Sequence, residues 1–345
     1  MRKLGWLTIA PLVIALTACD MLLGPSDGPE LVAAADSTLK SGDLPGASAE
    51  YAQLAKDNPD SVFVAIGRSY TLLLEGNYES ADSVLAAVEE KAGDKLGEIK
   101  LRRALVALQD ADLDLVKKHG IASGTAEGKL LAAEVHLVDL ESDEASALLK
   151  EVSSTGGAVG QTAKTYLQML ESGDQIQAGL AEATALWALG ERESACESSE
   201  ELVKALETED KNEQLILWAG RAVTSNKPGV ASSLLDDIYF PDQELQWRIK
   251  ATRAMVNIAE GETDEGVKLL TALAEHGDAP ADGLYDALAT AAALSGDKET
   301  AKSIVSIAGD TESAAIARGL LEAGAPRMAQ GKAPPGSLKT YLENQ

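Results

Sequence analysis

A small-residue turn recurs along this 345-residue chain at a nearly constant spacing, which restricts the chain to stacked copies of one supersecondary unit. Gly42-Asp43 is followed by Ala47, and Gly76-Asn77 by Ala81, with 34 residues between the two glycines. The series resumes with Gly190-Glu191 and Ala195, Asn226-Lys227 and Ala231, Gly261-Glu262 and Gly266, and Gly296-Asp297 and Ala301, in steps of 36, 35 and 35 residues. Between the turns, apolar residues fall at helical spacing in runs of 12 to 18 residues, and no alternating strand pattern is present.

Each element of the repeat has a mechanical cause. Glycine at a helix end takes the left-handed conformation without a Cβ penalty. Alanine where two helices cross permits a short interaxial distance. Proline cannot donate the next helical hydrogen bond. The first repeat carries Gly42, Ala47, Tyr51 and Pro59, and the second has Gly76, Ala81, Leu85 and Gly93 at the same places. This helix-turn-helix pattern resembles the tetratricopeptide (TPR) repeat. The resemblance implies an all-α fold, a TPR-like α-solenoid of about eight antiparallel helical hairpins. Such solenoids expose a long concave face lined by first helices, suited to a peptide or a partner helix.

The pattern is strongest over residues 31–92 and 175–310 and weak between them. The third turn, Gln109-Asp110-Ala111-Asp112, has no glycine, and the fourth is read at Glu141-Ser142-Asp143-Glu144-Ala145. Ser153-Ser154-Thr155-Gly156-Gly157 forms a joint before a helix over residues 158–172. Gly173-Asp174, with Ala178, lies only 17 residues before Gly190, so that helix either closes one unit or pairs with its successor. The expected organisation is a leader over 1–18, a tether over 19–30, repeats over 31–155 and 156–325, and a tail over 326–345. Gly24, Pro25, Gly28 and Pro29 disfavour regular structure in the tether; Pro326, Gly331, Pro334, Pro335 and Gly336 do so in the tail.

The leader has the three parts of an export signal. Arg2 and Lys3 supply positive charge, residues 4–16 are apolar, and small residues follow. The apolar run is too short to span a bilayer, which takes about 20 residues. Leu16-Thr17-Ala18-Cys19 resembles the lipobox of bacterial lipoproteins. That resemblance implies diacylglycerol on the Cys19 thiol, cleavage after Ala18 and acylation of the new amine, palmitate being a typical chain. Two or three acyl chains hold a protein durably where one does not. Asp20 is similar to the signal that retains enterobacterial lipoproteins in the inner membrane, a rule that other bacteria do not share, so inner and outer membrane both stay open.

The formal net charge is −25, and loss of Arg2 and Lys3 takes it to −27. This excludes nucleic acid as a natural partner, since phosphate binding needs clustered Lys and Arg. It also disfavours adsorption of the body to anionic headgroups. With Cys19 spent on a thioether, Cys196 has no intramolecular partner and reads as a small packing residue. His119, His136 and His276 share no metal-ligand spacing. Gly156–Gly160 lacks the lysine of a phosphate loop and is read as closing one helix and opening another. The Glu197, Glu200, Glu201 cluster lacks calcium-loop spacing and is read as a solvated helical face. Trp187, Trp218 and Trp247 stand at different distances from their turns and are read as core residues rather than one aromatic stripe.

The sequence therefore points to a non-enzymatic chain that uses no cofactor. The resemblance implies a membrane-anchored, periplasmic-side protein–protein interaction scaffold or assembly factor of the bacterial cell envelope. Its partners would be an envelope protein or peptide, and the membrane through the lipid on Cys19. The alternative is a hydrolase or small-ligand-binding lipoprotein whose site is assembled from residues distant in sequence.

Overall fold

The computed structural model describes residues 28–276, 281–296 and 298–307. Among these, every regular element is helical. They fall into two compact units, one ending at Glu171 and one beginning at Ser172. The expected anchor Cys19 and the tail over 326–345 lie outside the described residues.

The first unit contains α1 (Gly28–Lys40), α2 (Leu44–Asp57), α3 (Val62–Leu74), α4 (Tyr78–Val88), α5 (Leu96–Gln109), α6 (Leu113–Ser123), α7 (Ala126–Val138), α8 (Ser142–Ser153) and α9 (Gly157–Glu171). The second contains α10 (Gln175–Ala188), α11 (Arg192–Lys204), α12 (Lys211–Thr224), α13 (Pro228–Asp236), α14 (Gln243–Ala259), α15 (Thr263–His276), α16 (Ala281–Leu294) and α17 (Lys298–Ser306). Consecutive helices pair as hairpins, from α1 with α2 through α7 with α8, and from α10 with α11 through α16 with α17. That makes eight hairpins among the described residues, the expected solenoid. The unpaired α9 packs on α8 and α7, so it closes the first unit. Neighbouring first helices touch, as in α1 on α3, α7 on α9, α12 on α14 and α14 on α16. This builds a layer of first helices against a layer of second helices within each unit.

One turn geometry generates every hairpin from α1–α2 to α14–α15 except the half-period joint. The residue after the turn centre donates its N–H five residues back: Asp43 to Thr38, Asn77 to Leu72, Asp112 to Ala107, Glu141 to His136, Glu191 to Leu186, Lys227 to Ala222 and Glu262 to Asn257. This is the Schellman closure, and it satisfies carbonyls that the helix end leaves open. It requires positive φ at the centre, supplied by Gly42 (+85°), Gly76 (+76°), Gly190 (+94°) and Gly261 (+90°). Ala111, Leu140 and Asn226 adopt the same conformation at φ 58°, 60° and 59°. The degenerate third and fourth turns thus keep the fold's geometry without glycine, and the fourth is centred on Leu140, one residue before the stretch read from the sequence.

The first three second helices, α2, α4 and α6, start on side-chain caps, whereas α8, α11 and α13 start without one. Asp43, Asn77 and Asp112 accept the N–H of Gly46, Ser80 and Leu115. Helix α1 begins at Gly28, ahead of the Leu31 expected from sequence, because a proline such as Pro29 is tolerated in a first turn.

The small residues meet where the helices cross. Ala47, Ala81, Ala145, Ala195 and Ala231 are each 0% exposed. At Gly266 a Cβ would come within 2.5 Å of Ile258 Cγ1, so this crossing is closer than alanine permits. Gly67 of α3 leaves room for the buried ring of Tyr51, which a Cβ there would overlap.

Candidate functional site

Three buried or partly buried polar centres interrupt the apolar core, and each ties together neighbouring helices. In the first unit, Arg103 of α5 donates to both carboxylate oxygens of Asp82 on α4, at 2.7 and 2.8 Å, and to Glu89 at 2.6 Å. Such two-pronged contact is the geometry a planar guanidinium favours. Glu89 also accepts from Lys100, which with Arg103 holds its carboxyl below the usual range. His119 of α6 lies buried nearby with neither ring nitrogen hydrogen-bonded. Burial, then the charge of Arg103, lowers its pKa, so the ring is neutral packing.

The second centre is a carboxyl inside α7. Residues Leu130 to Val135 and Leu137 are all buried, so this helix is covered all round. Glu134 sits among them, 2% exposed, and accepts a hydrogen bond of 3.2 Å from the hydroxyl of Tyr166 on α9. Burial pushes its pKa up to about 8 despite the opposing bond from Tyr166. It is therefore a neutral acid at pH 7.

The third centre joins α10, α11 and α12. Arg221 lies 4.3 Å from the ring of Trp218 and 5.1 Å from that of Trp187, and Arg192 lies 5.2 Å from Trp187. Buried cation–ring contacts of this kind contribute about 2 kcal/mol or more. Trp187, Trp218 and Trp247 are 7%, 1% and 6% exposed, which makes them core residues as the sequence suggested. The first two nonetheless share one guanidinium, a link their spacing does not reveal. Cys196 is buried in the same core, and burial pushes its thiol up to about 11, far from a reactive thiolate.

The remaining residues singled out in the sequence are dispersed. His136 contacts Glu141 at 2.6 Å and His276 the Ala272 carbonyl at 2.6 Å. Gly157 opens α9 at φ +75°, and a Cβ on Gly160 would overlap the Thr155 carbonyl, so both glycines serve the α8–α9 turn. On α11, Glu197 pairs with Lys227 at 2.7 Å, and Glu200 with Lys204 at 2.8 Å, as on a solvated ionic face. Among the described residues, no group of three His, Cys, Asp or Glu side chains is placed to hold a metal.

The polar centres therefore act as internal ties between repeats, and what they leave at the surface is two helical layers. No protein-family model matches the chain, and no curated protein matches it. Among solved structures it is similar to the crystal structure of the P58(IPK) TPR domain, with 14% identity over 88% of this chain and 100% of that one, at a TM-score of 0.25. The assignment to stacked helical hairpins rests on the packing described above.

Proposed function

We propose that this chain is a protein–protein interaction scaffold, held on the periplasmic side of a bacterial membrane by lipid on Cys19. The observation that carries the scaffold reading is the repeated Schellman turn, which stacks first helices side by side and builds an extended surface in each unit. Surfaces of this kind suit an extended peptide or an amphipathic helix, because successive hairpins offer successive subsites. The polar centres support it: each stiffens a joint between neighbouring helices in the free protein, which lowers the ordering cost of binding.

The anchor rests on Leu16-Thr17-Ala18-Cys19 after the apolar leader. No helix among the described residues is long and apolar enough to cross a membrane. On this reading the lipid sets where the scaffold works, the short tether keeps the first hairpin near the bilayer, and the chain carries out no covalent step of its own. Replacing Cys19 with Ser tests the anchor. The variant is expected in the soluble fraction with its helical content intact and its N-terminal peptide lacking lipid mass. A variant that stays in the membrane fraction without acylation overturns the anchor.

A further inference from the structure

The loop between α13 and α14 presents two adjacent large apolar side chains to solvent, Tyr239 66% and Phe240 96% exposed, the latter the most exposed large apolar side chain among the described residues. The loop is held from behind. Lys211 of α12 pairs with Asp237 at 3.0 Å, the Asn212 side chain donates to the Tyr239 carbonyl at 3.2 Å, and Ile238 packs on the core. Phe240 sits at φ +51°, a conformation that bulky L-residues rarely adopt, and Pro241 follows directly. The chain thus maintains an unfavourable backbone state to display an aromatic that buries almost nothing. Strain kept without local return marks a position where the return comes on binding.

The surroundings are acidic. Asp236 and Asp237 precede the aromatic pair, and Asp242 and Glu244 follow. Asp236 pairs with Arg253 at 2.9 Å and Asp237 with Lys211 at 3.0 Å, and Glu244 lies in the field of Arg248, so the four carboxylates outnumber these three cations and the loop's local balance is negative. We propose that Tyr239 and Phe240 form a preorganised docking anchor for a protein partner whose receiving pocket is apolar and rimmed by Lys or Arg. Exposed aromatics on a rigid support are the side chains that dominate interface energetics. An anionic bilayer surface is disfavoured by the acidic flanks. A second copy of the chain would bring the same flanks and a net charge of −25 against itself.

The proposal deepens the scaffold reading and rests on it. In the full-length chain, the photocrosslinker p-benzoylphenylalanine is placed at position 240 and, separately, at Gln246 on the exposed side of α14. Irradiation of cells is expected to give one discrete protein adduct from position 240. With that partner purified, Phe240→Asp is expected to weaken binding at least tenfold, and raising the salt concentration to weaken the wild-type complex. Phe240→Gly is expected to weaken binding while raising the thermal midpoint of the free chain, since it relieves the strain. The anchor is overturned by adducts only with lipid or with a second copy, by no adduct from position 240, or by affinity indifferent to Phe240→Asp or to salt. A protein adduct from Gln246 alone would leave the scaffold standing without this anchor, and no protein adduct from either position would remove both.

Discussion

Tyr166 donates its hydroxyl hydrogen to the carboxyl of Glu134 in the interior of the first unit, tying α9 to the fully covered α7. This bond adds a side-chain tie to the α8–α9 turn, since α9 has no hairpin partner of its own. Loss of the pair is expected to loosen α9 before the rest of the unit.

The same pair gives the stability a pH dependence of definite sign. The folded carboxyl titrates at about 8, against an ordinary 4.5. Between those values the folded chain holds a proton that the unfolded chain has released, so rising pH favours unfolding. The advantage is complete below about pH 4.5 and is lost as pH rises through 8. The slope is about 1.4 kcal/mol per pH unit for one proton. Glu134→Gln is expected to remove that slope, so its stability relative to wild type grows from pH 5 to pH 8 in urea titrations. A constant difference across that range would show that Glu134 is ionised when folded.

Leu140 and Ala111 hold the left-handed turn position at the cost that L-residues incur there, about 1 to 2 kcal/mol. Leu140 is 73% exposed, so little packing is lost on removing it. Leu140→Gly and Ala111→Gly are each expected to stabilise the chain by about 1 kcal/mol, after the added entropy of glycine in the unfolded state. The mirror substitution, Gly76→Ala at φ +76°, is expected to destabilise by a similar amount. Denaturant midpoints measured on the three variants decide this.

Gly120 of α6 and Gly128 of α7 face each other across a close crossing in the first unit. A Cβ on Gly120 would stand 2.5 Å from the Gly128 carbonyl oxygen, and a Cβ on Gly128 would stand 2.6 Å from that of Gly120. Either alanine substitution must push the helices apart, at about 1 to 3 kcal/mol. Calorimetry is expected to show a lower midpoint for each.

Trp218 is the largest fully buried side chain among the described residues and forms one wall of the Arg221 stack. Trp218→Ala is expected to cost about 3 to 5 kcal/mol from packing alone. If its midpoint stays near wild type, the stack is not the tie between α10 and α12 described above.

Much of the fold was legible because its period is written in small residues. Gly42, Gly76, Gly190 and Gly261 announce their turns through a conformation that side chains disfavour. Ala111 and Leu140 were opaque because the backbone closure alone holds them there. The better signal was downstream, in the Asp112 cap and in the buried Val116 and Ala145 five residues past each turn centre. Glu134 was hidden because a helical glutamate ordinarily faces water. The apolar residues flanking it on every side were the trace of its burial. The sharing of Arg221 by Trp187 and Trp218 depends on how α10 and α12 approach, which turn spacing does not encode. Tyr239 and Phe240 belong to no periodic pattern or motif that would mark them as exposed, and the structure places them outside.

The central claim is that this chain recruits protein at a membrane. The most direct measurement is quantitative mass spectrometry of proteins that co-purify with the tagged full-length chain from detergent-solubilised membranes, against a tag-only control. The account predicts strong enrichment of at least one discrete envelope protein. Enrichment of none, from a preparation in which the chain is folded and lipidated, would contradict it.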